Sequence, residues 1–204
     1  MTVPCVYCLD TGELRDEQVL LRGHDFYLCA PRGQLVEGYL VIAPYRCVGC
    51  IAMLPREQFA ELLELKGIVS AFYADVYGAS DAMFYEQGRA DGGASAETFP
   101  LHAHLCCLPR APDVHAVLAE QFSCKDITGI DAVQDVAGPY VYVETRLATR
   151  VYVSRDERRR EELKRMRLKP MLATLMGMPE RGRWRDYPGD AELERLIERF
   201  KARR

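Results

Sequence analysis

The sequence predicts an α+β fold: an antiparallel sheet of about five strands with one long helix, extended at the C-terminus by a β-hairpin and helices. Three observations predict it. Short β-branched and aromatic runs, each ended by proline or glycine, recur through the first half of the chain. One stretch, from Phe59 to Val76, carries apolar residues at helical spacing. The last third passes from paired Tyr/Val runs to charged, helix-forming sequence.

The elements follow in order. Residues 1–25 form an N-terminal arm that carries Cys5-x-x-Cys8. Residues 26–30 are a strand, stopped by Pro31 and Gly33, and residues 38–43 are a second, closed by Pro44. Proline at a first helical position is favoured because its missing N–H is unpaired there anyway, so Pro55 opens the long helix. Phe59, Leu62, Leu63, Val69, Phe72, Tyr73 and Val76 form its apolar stripe up to Gly78. Residues 81–86 and 101–108 are two more strands on either side of a Gly/Ala-rich loop at 87–99. A helix is expected at 113–122. Residues 139–153 read as a hairpin, and residues 155–169 as a charged helix. Pro170 starts another helix, and a last one at 190–203 places Leu193, Leu196, Ile197 and Phe200 on one docking face. This gives a core of residues 1–122 and an extension of residues 123–204 packed on it.

The composition is that of a soluble globular protein. The net charge of −3 argues against a general polyanion binder, and no apolar run approaches the roughly 20 residues that span a bilayer. The N-terminus lacks a basic and then apolar leader, so a cytoplasmic location is expected. In a reducing compartment, clusters among eight cysteines point to metal or catalysis rather than disulfides. Cys29 and Cys124 stand alone and read as buried thiols.

His102, His104 and Cys106 alternate. On a strand, side chains alternate with period two, so imidazole, imidazole and thiol share one face. The glycine-rich loop before them suits close approach of backbone N–H groups to phosphate. Cys5-x-x-Cys8 and Cys47-x-x-Cys50 together offer four thiolates, the donor set of a tetrahedral zinc site.

Residues 102–109, His-Ala-His-Leu-Cys-Cys-Leu-Pro, resemble the histidine-triad (HIT) signature His-x-His-x-His-x-x followed by proline. Residues 38–44 resemble the superfamily's Gly-x-x-x-Val-Ile-Pro strand, and residues 83–88 its strand before the glycine loop. The resemblance covers about half the chain and is to a zinc-bearing bacterial-type member with a variant triad. It implies a HIT-like sheet, a homodimer, and a nucleotide hydrolase or nucleotidyltransferase. In that chemistry His104 attacks the α-phosphorus to form a nucleotidyl-histidine. Cys106 occupies the third triad position, and Glu86, Gly92, Gly93, Ser95 and Thr98 contact substrate. The resemblance also implies structural Zn2+ on Cys5, Cys8, Cys47 and His102, with Cys50 in place of His102 as the alternative. The partner expected is a nucleotide, with no membrane and no nucleic acid. A weakened nucleotide- or RNA-binding module is the second reading, because splicing-related relatives carry a variant third position.

Overall fold

A computed structural model describes residues 5–88, 102–110 and 112–203. Gly92, Gly93, Ser95 and Thr98 lie outside the described residues. Eight strands form one sheet: β1 (Val19–Arg22), β2 (Phe26–Cys29), β3 (Leu40–Pro44), β4 (Met83–Gly88), β5 (Leu105–Leu108), β6 (Ser123–Asp126), β7 (Tyr140–Glu144) and β8 (Thr149–Val153). Their order is β1-β2-β3-β5-β4-β7-β8-β6, and every neighbouring pair is antiparallel.

The expected five-strand, HIT-like sheet is therefore corrected to eight. β1 was hidden because a register shift between Val19 and Leu21 breaks its alternation. β6, Ser-Cys-Lys-Asp, is exposed along its whole length and has no apolar pattern to read. It carries Cys124, which is exposed rather than buried. The hairpin of β7 and β8 is not a separate addition. β7 pairs with β4 over Phe84↔Glu144 to Gly88↔Tyr140 and extends the sheet. Strand β5 is also shorter than expected: it starts at Leu105, and His102 and His104 lie just before it. There Ala103 N–H bonds to the carbonyl of Val48 at 2.7 Å instead of to a neighbouring strand.

Helices are α1 (Phe59–Tyr77), α2 (His115–Gln121), α3 (Glu157–Arg165), α4 (Leu168–Leu175) and α5 (Asp190–Ala202). Helix α1 ends at Gly78, whose φ of 59° is the left-handed stop that glycine adopts without strain. Both faces of the sheet are covered, which is why its central strands are apolar throughout. Phe26, Leu28, Leu40, Ile42, Leu105 and Cys107 face α1 and α5. Their alternates, Tyr27, Val41, Tyr85, Cys106 and Val143, face α2, α3 and α4. On α5, Leu193, Leu196, Ile197 and Phe200 are all buried. Each such side chain contributes roughly 1.5–3 kcal/mol by leaving water.

The charged helix expected at 155–169 divides. Helix α3 keeps its charges in solvent with pairs such as Arg159–Glu162 at 3.1 Å and Lys164–Glu161 at 2.8 Å. Pro170 sits in the first turn of α4, where its missing N–H costs nothing. His115 is buried, with Nδ1 2.7 Å from the Tyr152 hydroxyl and Nε2 3.1 Å from Thr145 Oγ1, so it is a core residue. Among the described residues no helix is long and apolar enough to cross a membrane.

Candidate metal centre and adjoining cavity

Three separate pieces of chain bring one donor set together. The N-terminal arm supplies Cys5 and Cys8, the loop after β3 supplies Cys47, and the approach to β5 supplies His102. Their ligand atoms all lie within 4.8 Å of one another. His102 Nδ1 is 3.3 Å from Cys5 Sγ and 3.5 Å from Cys8 Sγ. Tetrahedral zinc with its usual bond lengths holds S···N neighbours about 3.5 Å apart. His102 Nε2 is 2.8 Å from the carbonyl oxygen of Pro44. A carbonyl only accepts, so Nε2 carries the proton and Nδ1 turns a lone pair toward the thiols.

Cys50 is elsewhere. It is fully buried in the apolar cluster on the α1 side of the sheet. Of the two sets open in the sequence, the structure assembles the one with His102. Burial tends to raise the Cys5 thiol, but its contacts with His102 and Cys8 outweigh burial and bring its pKa down to about 7. Burial drives Cys8 and Cys47 upward. A divalent cation reverses such penalties, because coordinated thiols are deprotonated. Three thiols and one correctly presented imidazole fit zinc.

His104 stands beside this cluster. Its Nδ1 donates to the carbonyl of His102 at 2.7 Å, and its ring lies 4.6 Å from that of Tyr7 on the arm. Burial opposes the imidazolium, yet the adjacent Cys106 thiolate, through charge and hydrogen bond, lifts His104 to about 9. Burial likewise raises Cys106, and the His104 charge with hydrogen bonds from His104, Tyr39 and Tyr85 brings it below its ordinary value. The two shifts are one interaction, between the His104 ring and the Cys106 thiol. Tyr39 Oη is 3.0 Å from Cys106 Sγ.

The pair opens into a cavity of about 460 Å³. Its walls include Tyr7, Tyr39, Tyr85 and, from the C-terminal segment, Lys169 and Trp184. That segment is tied down across the sheet. Gln87 bonds to both Met166 O and Leu168 N, and Lys169 donates to the carbonyl of Gly33. Gly33 has φ of 77°, and a Cβ there would sit 2.3 Å from Trp184 Cβ, so the close approach requires glycine. Among the described residues five cations line the cavity, Arg32, Arg167, Lys169, Arg183 and Arg185, against the carboxylates Glu13 and Asp186.

Glu86 does not line it. It lies on the α1 side, accepting from Ile51 N–H at 2.6 Å and from the Tyr140 hydroxyl at 2.6 Å. Burial raises its carboxyl to about 7. Tyr7, Tyr39, Tyr85, Lys169 and Trp184 were not legible as cavity residues in the sequence. The one available sign was Lys169 itself, the cation of the basic run that borders the apolar Leu168, Met171 and Leu172.

The family described as "Protein similar to CwfJ C-terminal" matches residues 1–117 of the chain. The chain belongs to this family. It is also similar to "Zinc finger CCCH domain-containing protein 64" of Arabidopsis thaliana, at 24% identity over 210 residues. That match covers 97% of this chain and 34% of the relative, so the chain spans about a third of the relative's length. Membership in the CwfJ C-terminal-like family corrects the expected placement as a bacterial-type HIT member, and with it the expected HIT hydrolase or nucleotidyltransferase. The Cys/His cluster and the zinc-finger name of the relative are both compatible with zinc.

Proposed function

We propose that this chain is an RNA-binding module whose N-terminal arm is stapled by zinc and whose cavity holds one nucleotide of a single strand. The observation that carries the reading is the cavity lining: aromatic rings combined with an excess of cations. Single-stranded RNA is held by stacking its bases on aromatic and guanidinium planes and by neutralising its phosphates. Tyr7 and Trp184 are half-buried and supply such planes at the cavity wall, and Arg185 lies 4.5 Å over the Trp184 ring. A net charge of −3 for the whole chain conceals this local excess.

Zinc on Cys5, Cys8, Cys47 and His102 would be structural, since all four positions are filled by protein. When bound it ties three chain segments into one rigid corner. Within that corner the chain's own residues act. The Tyr27 hydroxyl donates to the Tyr7 carbonyl, Tyr7 packs on His104, and both line the cavity. Family membership and the variant third triad position, Cys106, agree with an RNA-associated role.

Titrating a labelled single-stranded RNA of about 12 nucleotides with the purified protein, by fluorescence anisotropy, tests the reading. Saturable binding that weakens with salt supports it. Absence of binding at low salt rejects it.

A further inference from the structure

Lys169 stands in an unusual position. Its stem is half-buried at the start of α4, beyond the residues the family match covers. Its ammonium lines the cavity, 4.8 Å from the centre of the Tyr39 ring. An ammonium has three protons to place. One goes to the Gly33 carbonyl, and no carboxylate among the described residues forms an ion pair with it. Burial pulls the Lys169 ammonium down to about 8, so it is charged at neutral pH at a cost that an anion in the cavity relieves.

The size of the space limits that anion. A volume of about 460 Å³ lies within the range that encloses one small molecule, about 300–1,000 Å³, and has no room for a run of nucleotides. The rim cations Arg183 and Arg185 belong to the same C-terminal segment and are exposed. They are placed to meet a chain leaving the cavity, while Lys169 meets what lies inside it.

We infer that Lys169 holds a terminal phosphate monoester, so that the cavity takes the phosphorylated end of an RNA strand. This rests on the RNA-binding reading above and specifies it. A terminal monoester carries about −1.5 to −2 charges, against −1 for an internal diester, and its extra oxygen accepts from a cation that has protons to spare. The chemistry is shared by 5′ and 3′ phosphates.

The test compares one RNA sequence in four forms, 5′-phosphorylated, 3′-phosphorylated, unphosphorylated and circular, on the zinc-loaded full chain. One phosphorylated end binds about tenfold or more tighter than the unphosphorylated strand, and inorganic phosphate competes away that advantage. Lys169→Met erases the preference, lowering affinity for the phosphorylated strand far more than for the unphosphorylated one, and Lys169→Arg retains it. Thermal melting of the variants separates the loss from misfolding. Equal affinity for all four forms, or a preference that survives in well-folded Lys169→Met, overturns the inference while RNA binding stands. Failure of every form to bind overturns both.

Discussion

His102 Nε2 donates to the carbonyl of Pro44 at 2.8 Å, and that bond aims Nδ1 at the sulfurs of Cys5 and Cys8. Pro44 ends β3, and its carbonyl serves as an orienting acceptor for a ring 58 residues away. The histidine nearest the expected nucleophile is thus committed to the arm.

Zinc should bind at one ion per chain. Cys47→Ser and His102→Ala should each weaken it roughly a hundredfold, since structural zinc gains about 10–16 kcal/mol from four ligands. Cys50→Ala should keep full zinc affinity and lose only stability. Native mass spectrometry with competitive chelator titration measures both, and loss of zinc from Cys50→Ala would show that the wrong fourth ligand has been assigned.

Removing zinc should release the arm and with it the Tyr7 wall of the cavity. Chelation is expected to lower the melting temperature and to reduce RNA affinity together, and zinc re-addition to restore both. Hydrogen exchange should rise first at residues 5–11 and 45–50. Unchanged exchange there after chelation would mean that the arm is held by packing alone.

Aromatic contacts should dominate the affinity. Tyr7→Ala and Trp184→Ala are each expected to cost about 1–3 kcal/mol of RNA binding, the usual value of one stacked base. The slope of log K against log salt should be near −2, from about three phosphate contacts at roughly 0.7 per contact for a single strand. A slope near zero would argue against cationic capture.

Glu86 should make stability fall with pH. Its folded carboxyl titrates at about 7 against an ordinary value of 4.5, because burial disfavours the carboxylate. The folded state therefore holds its proton where the unfolded state has lost it. The stabilisation is complete below about pH 4.5 and is lost as pH rises through 7, in total about 3 kcal/mol. Urea unfolding of Glu86→Gln should show a flatter dependence between pH 5 and 8, and an unchanged slope would exclude Glu86 as its source.

Much of the donor set was legible because it depends on local spacing. Two Cys-x-x-Cys hooks and three alternating side chains at 102, 104 and 106 are visible in any linear reading. The preference for His102 over Cys50 came from the resemblance and not from spacing, because it turns on which way the loop after β3 faces. Cys50 enters the apolar cluster there while Cys47 stays outside. The sheet was under-read at both ends. A register shift hid β1, and full exposure hid β6, so neither left a period-two pattern. The cavity was the least legible part. Lys169 meets the carbonyl of Gly33 across 136 positions, and Gln87 meets Leu168 across 81. Such contacts are set by how helices close over the sheet, and no local pattern encodes them. Within the charged stretch at 155–169, helix α3 is a solvated face. Two residues beyond α3's end, at Arg167, the same run turns to line the cavity.

The central claim is that RNA sits in the cavity beside the zinc corner. Ultraviolet cross-linking of single-stranded RNA to the zinc-loaded chain, with the adducts located by peptide mass spectrometry, tests it most directly. The account predicts adducts on Tyr7, Trp184 or the stretch from His102 to Cys106, reduced by Lys169→Met when the RNA carries a terminal phosphate. Adducts confined to the exposed arginines of α3, with none on the cavity walls, would contradict it.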